Sequence, residues 1–198
     1  MRILILRHAK TDEEIMASWA PQPLLPEGFD HAKKILNTFL KKYPELKIKR
    51  IVSSDILRCA QIAEIMAKEL NVPLVLDEGF RSFNIGSGAG VTHSEFYKAH
   101  PGQFVKHLPW DERIDDGESP HLFYSRVKQA FQNLIDHTAP KEDLILVTHR
   151  SVLDIIYTLV LNVQWSNQLY YYKMEYLLVD IKKKKTRKRN SEEQNVRK

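Results

Sequence analysis

Residues 4–14 read LILRHAKTDEE, an apolar run that ends at Arg7 and His8 before the chain turns fully polar. A short run of branched apolar residues is typical of a strand that is buried on both faces of a sheet. We therefore predict a strand over residues 2–6, with an arginine and a histidine directly beyond its carboxyl end. The fold and the chemistry both depend on which other residues lie beside these two side chains.

The same order, an apolar strand followed by an amphipathic helix, recurs along the chain. Further strands are predicted over residues 48–53, 72–76 and 144–148, with helices from Pro26 through Leu40, and over 55–70, 119–137 and 152–161. Residues 170–181 alternate weakly and indicate an edge hairpin. Alternating strands and helices predict an α/β fold, a three-layer sandwich with a mainly parallel central sheet flanked by helices.

The domain organisation follows from length and from two breaks in this pattern. A chain of 198 residues suits one domain, which we place at residues 1–181. Residues 79–117 are rich in glycine, histidine and proline and are interpreted as an active-site cap with short helices, with flexible glycines at 86, 88 and 90. Residues 182–198 have no apolar pattern and are predicted to be a disordered basic tail.

Charge and cysteine content narrow the class of protein. The net charge is +5, but residues 182–198 hold nine basic and two acidic residues, so the body is close to neutral. Nucleic acid is therefore considered as a partner only through the tail. The single cysteine, Cys59, cannot form an intramolecular disulfide, which favours a cytoplasmic location, and no apolar stretch suggests export or a membrane anchor.

Basic side chains follow three of the predicted strands at their carboxyl ends. Arg7 and His8 follow the first strand, Arg58 lies one turn into the helix after the second, and His149 follows the strand over residues 144–148. Ligands of open α/β sheets bind at this edge. Arginine pairs well with phosphate oxygens, and a neutral imidazole can attack phosphorus, so the set predicts phosphoryl transfer rather than metal binding.

Five blocks of sequence resemble the histidine phosphatase superfamily, the phosphoglycerate mutase-like proteins. Residues 7–11, RHAKT, resemble its RHG-x-T signature, and residues 53–61, SSDILRCAQ, resemble its S-S-x-L-x-R-A-x-Q block. Residues 23–28, PLLPEG, are similar to P-L-T-x-x-G, while GES at 117–119 and VTH at 147–149 match two further blocks. The resemblance covers roughly residues 1–180 and implies the phosphoglycerate mutase-like sandwich.

The resemblance implies a role for each matching residue. His8 would be the phosphorylated nucleophile, Arg7 and Arg58 would bind the phosphate, and His149 would complete the catalytic set. Substrate contacts are also expected from Lys10, Thr11 and Ser82. The family uses neither a metal nor an organic cofactor, so none is expected. The implied activity is a metal-independent phosphomonoester hydrolase of the histidine acid phosphatase type.

One departure from the family pattern bears on catalysis. Aligning the glycines at 86 and 90 with those of the family block places Ser82 where most members have a glutamate that protonates the leaving oxygen. A serine hydroxyl is too weak an acid for this task. A carboxylate from elsewhere could replace it, and the sequence leaves five candidates open: Asp77, Glu78, Asp115, Asp116 and Glu118. Arg150 also stands where the family often has glycine, pointing either to solvent or to the pocket.

Three functions remain open from the sequence. The leading hypothesis is a phosphatase acting on a phosphorylated small molecule, with a phosphoprotein as the alternative substrate. The others are a phosphoglycerate mutase and a catalytically weak module that binds phosphorylated ligands. The remaining six histidines are predicted to be structural or solvated: His31, His93, His100, His107, His121 and His137. The sequence predicts no membrane partner and is silent on oligomeric state and on the identity of the substrate.

Overall fold

The computed structural model describes residues 1–166 and 176–181 and contains a five-stranded sheet. The strand order is β3-β2-β4-β1-β5. Strands β1 to β4 are parallel, and β5 pairs antiparallel with β1 at one edge. The bounds are β1 Arg2–Arg7, β2 Ile48–Ser53, β3 Leu74–Leu76, β4 Asp143–Thr148 and β5 Tyr176–Asp180. The mainly parallel sheet predicted from the sequence is confirmed.

Helices cover both faces of the sheet. They are α1 Pro26–Lys42, α2 Leu57–Leu70, α3 His93–Ala99, α4 Pro120–Asp136 and α5 Arg150–Leu161. Helices α1 and α2 pack in one hydrophobic cluster, and α4 and α5 pack in another on the opposite face. This arrangement is the predicted three-layer sandwich.

Strand β4 shows why the sheet is buried on both sides. All six of its residues are buried. Leu144 and Leu146 belong to the cluster with α4 and α5, whereas Ile145 and Val147 belong to the cluster with α1 and α2. Successive side chains of a strand point to opposite faces, so an uninterrupted apolar run supplies both cores at once.

The ends of the elements differ from the sequence predictions by about two residues. Strand β3 begins at Leu74 because Pro73 has no N–H to donate, although its carbonyl still accepts from Ile51 N at 2.9 Å. Helix α5 begins at Arg150 rather than at Val152, directly after His149. Ser119 caps α4 as predicted, because its side chain accepts a hydrogen bond from Leu122 N.

The cap contains α3 and three short 3-10 turns at residues 78–80, 86–88 and 105–107. Its glycines have a steric role, which differs from the predicted flexibility. Gly86 has a φ of 64°, and a Cβ there would lie 2.2 Å from Asp116 Oδ1, while a Cβ on Gly88 would lie 2.5 Å from the Phe96 ring. Glycine is needed at these positions because the backbone is left-handed at the first and crowded at both.

The chain after β1 closes against the cap. Met16 N donates to Val91 O, and Gly90 N donates to Met16 O, both at 2.8 Å, beside a β-bridge between Ile15 and Thr92. This pairing joins segments that are far apart in the sequence. It positions residues 14–18 over the carboxyl ends of the strands.

Two sequence predictions fall partly or wholly outside the described residues. Of the predicted hairpin at 170–181, the structure describes β5, and residues 167–175 lie outside it. The predicted basic tail at 182–198 also lies outside the described residues. Within the described ranges, every helix falls short of the length and apolarity needed to cross a membrane.

Candidate active site at the carboxyl ends of the strands

Neighbouring strands bring the predicted site residues to one edge of the sheet. Arg7 and Thr148 are paired across β1 and β4, and His8 N donates to Thr148 O at 2.9 Å. On the other side of β4, Ser54 N donates to Val147 O at 3.0 Å. The residues just beyond β1, β4 and β2 therefore lie side by side.

Arg58 links the side chains of this edge from the first turn of α2. It is only 2% exposed, its Nε lies 3.3 Å from His8 Nε2, and its Nη2 lies 3.3 Å from His149 Nδ1. The carbonyls of Ser18 and Ala20 accept from the two terminal nitrogens at 2.7 and 3.3 Å. These carbonyls fix the plane of the guanidinium and leave its charge uncancelled. Arg7, His8, Arg58 and His149 together are called the basic floor below.

The hydrogen bonds of His8 determine which ring nitrogen carries the proton and which has the lone pair. Its Nδ1 lies 2.8 Å from the carbonyl of Ala9, which can only accept, so Nδ1 carries the proton. Burial and the nearby Arg58 and Arg7 cations lower the pKa of His8 to about 3. At neutral pH Nε2 is therefore unprotonated, and it accepts a hydrogen bond from Arg58 Nε at 3.3 Å at the edge of the cavity.

His149 is held in the other tautomer by its own partners. The Arg58 guanidinium can only donate, so His149 Nδ1 accepts and Nε2 donates to Ser54 Oγ at 3.0 Å. Burial first, and then the positive charges around it, hold the pKa of His149 well below its usual value. The rings of His149 and His8 are 5.2 Å apart at 65°, and Cys59 Sγ lies 3.5 Å from His149 Nε2.

Ser82 lies beside the basic floor, where the sequence alignment places it. It is 9% exposed, it lines the same cavity, and its Oγ lies 3.4 Å from Arg58 Nη2. The hydroxyl donates to the carbonyl of Ser18 at 2.8 Å. Ser82 therefore lies within hydrogen-bond distance of the Arg58 guanidinium, and its contact with substrate stays a prediction.

The five carboxylates considered as replacements lie elsewhere. Glu118 pairs with Arg126 at 2.6 Å, and Asp77 accepts from Gly79 N at 2.8 Å. The other three also have partners in the cap: Glu78 with Arg81, Asp115 with Ser87 and His100, and Asp116 with Ser87 N. None of the five lines the cavity above the basic floor.

The cavity has a volume of about 400 Å³ and a divided lining. The basic floor occupies one part. A second part, called the apolar wall below, is formed by five side chains from the chain after β1 and from the cap: Ile15, Met16, Phe83, Ile85 and Val105. Arg150, Ser151 and His93 also line the cavity, and no carboxylate does among the described residues.

Some site predictions agree less well with this geometry. Lys10 is exposed and Thr11 is buried, and neither lines the cavity, so their substrate contacts stay predictions. His93 lines the cavity although the sequence gave no reason to place it there. Arg150 lines the cavity, the less favoured of its two predicted orientations.

Sequence reasoning missed the residues that orient the basic floor. Ser18 has a φ of 36°, its carbonyl binds Arg58 and Ser82, and its hydroxyl donates to Phe83 O at 2.8 Å. Residues 12–22 have no periodicity, so no local signal marks Ser18. The sequence did contain a signal for Ser54, which lies in the block SSDILRCAQ before Arg58.

The described residues contain no candidate metal site. Within residues 1–166 and 176–181, no three histidine, cysteine, aspartate or glutamate side chains cluster as metal ligands would. The basic floor itself consists of cations and neutral imidazoles, a donor set suited to an anion.

Comparison with known proteins supports the same interpretation. The family described as "Histidine phosphatase superfamily (branch 1)" matches residues 3–190. "Phosphoglycerate mutase-like protein 4" of Arabidopsis thaliana is 25% identical over 162 residues, 78% of this chain and 69% of the relative. "Adenosylcobalamin/alpha-ribazole phosphatase" of Salmonella typhimurium is 26% identical over 166 residues, 79% of this chain and 77% of the relative.

A solved structure with a similar fold is the mycobacterial glucosyl-3-phosphoglycerate phosphatase. It superposes with a TM-score of 0.70 and 22% identity, covering 84% of this chain and 82% of that chain. At this identity the similarity concerns the fold.

Proposed function

Because the chain belongs to the histidine phosphatase superfamily, we propose that it hydrolyses a phosphomonoester without a metal, through a phosphohistidine on His8. The observation that carries this proposal is the position of His8 beyond β1, with Nδ1 2.8 Å from the Ala9 carbonyl and Nε2 3.3 Å from Nε of the buried Arg58. A nucleophile whose pKa is about 3 needs no base to activate it at neutral pH.

The proposed reaction has two steps. In the first, His8 Nε2 attacks phosphorus, the N–P bond forms, and the bond to the leaving oxygen breaks. Arg7 and Arg58 stabilise the charge on the three remaining phosphoryl oxygens. In the second step a water oxygen attacks phosphorus, and the N–P bond breaks with its electron pair returning to His8 Nε2. His8 is then neutral again, and both protons of the water leave on the phosphate.

Ser82 governs which phosphomonoesters react well. A leaving oxygen of high basicity needs a proton as it departs, and a serine in place of glutamate supplies one poorly. We propose that no other carboxylate takes over, since the five candidates are engaged in the cap. Phosphates of acidic alcohols such as phenols, which leave without a proton, are then the preferred substrates.

A catalytically weak module that binds phosphorylated ligands is the second candidate, and the absence of a carboxylate among the described lining residues favours it. Such a module would retain the basic floor and bind phosphorylated ligands without hydrolysing them. Ser82 also argues against a phosphoglycerate mutase, whose leaving group is an alkoxide. A cytoplasmic location stays a prediction from the single cysteine.

Trapping the covalent intermediate tests the proposal. We expect wild-type protein mixed with ³²P-labelled phenyl phosphate and quenched in alkali to carry acid-labile, base-stable label on His8. His8→Asn should carry none and lose all turnover, whereas His31→Asn, at a half-buried histidine of α1 outside the cavity, should behave as wild type. EDTA should change neither labelling nor turnover.

Three results would contradict the proposal. Label on another residue would assign a different nucleophile, and rescue of EDTA-treated protein by a divalent metal would require a metal mechanism. Tight binding of phosphate without label or turnover would favour the binding module.

A further inference from the structure

The cavity contains few side chains that could give a proton to a leaving oxygen. None of the described lining residues is a carboxylate, a lysine, a tyrosine or a cysteine. The serines and arginines that line it are too weakly acidic, because a hydroxyl keeps its proton near neutral pH and a guanidinium keeps its charge. Histidine is the side-chain type that exchanges a proton in this range, and the described lining contains three: His8, His93 and His149.

Two of these histidines have other roles. His8 supplies the lone pair that attacks phosphorus, and its Nδ1 proton is held by a backbone carbonyl at 2.8 Å. His149 accepts from Arg58, and its Nε2 donates to Ser54 Oγ at 3.0 Å. Burial and nearby cations lower the pKa of both rings, so neither carries an extra proton at neutral pH. Among the described lining residues, His93 is left as the side chain able to donate a proton.

His93 differs from the other two histidines in burial and in position. It is the first residue of α3 in the cap, and it is exposed, so it can exchange protons with solvent. Its backbone N donates to the carbonyl of Glu14 at 2.9 Å, within the segment that covers the carboxyl ends of the strands. An in-line attack by His8 places the leaving oxygen on the side of phosphorus away from the basic floor. His93 lines the cavity from the cap, which is the side toward which the leaving group departs.

Charged and titratable groups near His93 lie on its own helix, on the segment bonded to it and across the cavity. They are Glu14, Glu95, Tyr97, Arg7, Arg58 and Arg150. Glu95 is engaged with Thr92 in the capping box of α3, and the ring of Tyr97 stacks on His93 with centroids 6.3 Å apart. A phosphate dianion at the basic floor would add negative charge to the cavity and so stabilise an imidazolium there. Bound substrate therefore favours the form of His93 that can donate.

We propose that the imidazolium of His93 is the general acid of this reaction and protonates the leaving oxygen in place of the absent glutamate. The inference rests on the proposed function, since it requires the attack by His8. As the bond between phosphorus and the leaving oxygen breaks, its electron pair stays on that oxygen, and a proton passes to it from His93. His93 is then neutral and regains a proton from solvent before the next cycle. Phenol esters, which need no acid, are therefore preferred most strongly when His93 is neutral.

Two esters of similar size and different leaving groups test this inference. Phenyl phosphate releases an acidic phenol, whereas benzyl phosphate releases a basic alkoxide. We would measure kcat for both esters between pH 5.5 and pH 8 and divide the benzyl value by the phenyl value, which cancels the titration that the two esters share. In wild-type protein this ratio is expected to rise at least fivefold as the pH falls across the range.

Substitution of His93 should remove this pH dependence. His93→Gln and His93→Ala are each expected to lower kcat for benzyl phosphate at pH 5.5 at least tenfold, and to change kcat for phenyl phosphate less than about threefold. Retained hydrolysis of phenyl phosphate would show that the variants are folded. His107→Gln, at an exposed cap histidine that does not line the cavity, should keep the wild-type ratio at every pH.

Three results overturn the inference while label trapped on His8 leaves the proposed function intact. A wild-type ratio that is independent of pH means that no group titrating in this range protonates the leaving oxygen. A pH-dependent ratio that persists in both His93 variants assigns the proton to another residue. An equal loss for both esters in the two variants means that His93 contributes to binding or structure. Failure of both esters to react, with no label on His8, refutes the proposed function and the inference together.

Discussion

The basic floor and the apolar wall line the same cavity but are built in different ways. The floor consists of side chains just beyond adjacent parallel strands and in the first turn of α2, and its positions follow from the register of the sheet. The wall consists of side chains on irregular segments that meet through a few backbone hydrogen bonds. A rigid floor holds a charge-stabilising geometry, whereas loops over it can differ without disturbing that geometry. Under the proposed function, we expect the floor to carry out the reaction and the wall to influence the choice of substrate.

The largest expected difference between the two regions lies in the floor. Arg58→Lys should lower kcat/KM by about 100-fold or more, because an ammonium group cannot reproduce the planar guanidinium. The loss should be similar for phenyl phosphate and for methyl phosphate, since both present the same phosphoryl group. Steady-state kinetics with the two esters would measure it.

A wall variant provides the contrast to Arg58→Lys. Met16→Ala should raise the KM for phenyl phosphate several-fold because an apolar contact is lost. The KM for methyl phosphate should stay within about twofold of the wild-type value. If Arg58→Lys retained near wild-type kcat/KM, or if Met16→Ala harmed both esters equally, the division between floor and wall would be wrong.

The floor should also make the free energy of unfolding depend on pH, whereas the apolar side chains of the wall do not titrate. The pKa of His8 is about 3 in the folded state and near 6.5 when unfolded, so the unfolded state binds more protons between these values. Stability is therefore present above pH 6.5 and lost as the pH falls toward 3. His8→Gln should reduce this loss by about 3 kcal/mol between pH 7 and pH 4, measured by urea unfolding.

Asp154 contributes a pH dependence of stability opposite to that of His8, and the difference between wild type and His8→Gln separates the two contributions. Asp154, whose pKa is raised to about 7, makes the folded state less stable as the pH rises through 4 to 7, and it is present in both proteins. Parallel stability curves for the two proteins would show that His8 is not buried as described.

A substrate-dependent effect is expected at Ser82, which lines the cavity beside Arg58. Ser82→Glu should raise kcat for an alkyl phosphate by about tenfold and change phenyl phosphate little, because a positioned acid helps only a basic leaving group. Ser94→Glu adds the same charge on the exposed side of α3 and should have no such effect. Efficient turnover of alkyl phosphates by wild type would mean that another acid already acts.

The sequence predicted the floor well because its positions depend on local patterns. Apolar runs mark the strands, parallel strands end at one edge, and Arg7, His8, Arg58 and His149 follow those ends. The wall depends on contacts that have no local signature. Met16 is held at the site by backbone hydrogen bonds with residues 90 and 91, and no sequence pattern in residues 12–22 predicts these bonds.

Orientation was harder to predict than position, even near the floor. Arg150 lines the cavity at the first residue of α5, a helix that begins two positions earlier than the hydrophobic pattern alone predicted. Ser18 orients Arg58 through a backbone carbonyl, and a carbonyl is present at every residue, so its identity as a ligand cannot be read from side-chain type.

The thiol against His149 has a practical consequence. Cys59 is the single cysteine of the chain, it is fully buried, and burial raises its pKa to about 12. An alkylating reagent needs an exposed thiolate, so it can modify the folded protein only during moments when α2 separates from the sheet. The rate of alkylation therefore measures how often the active site comes apart, without any introduced label. A bound ligand should lower the rate of alkylation, so the native cysteine can report on ligand binding.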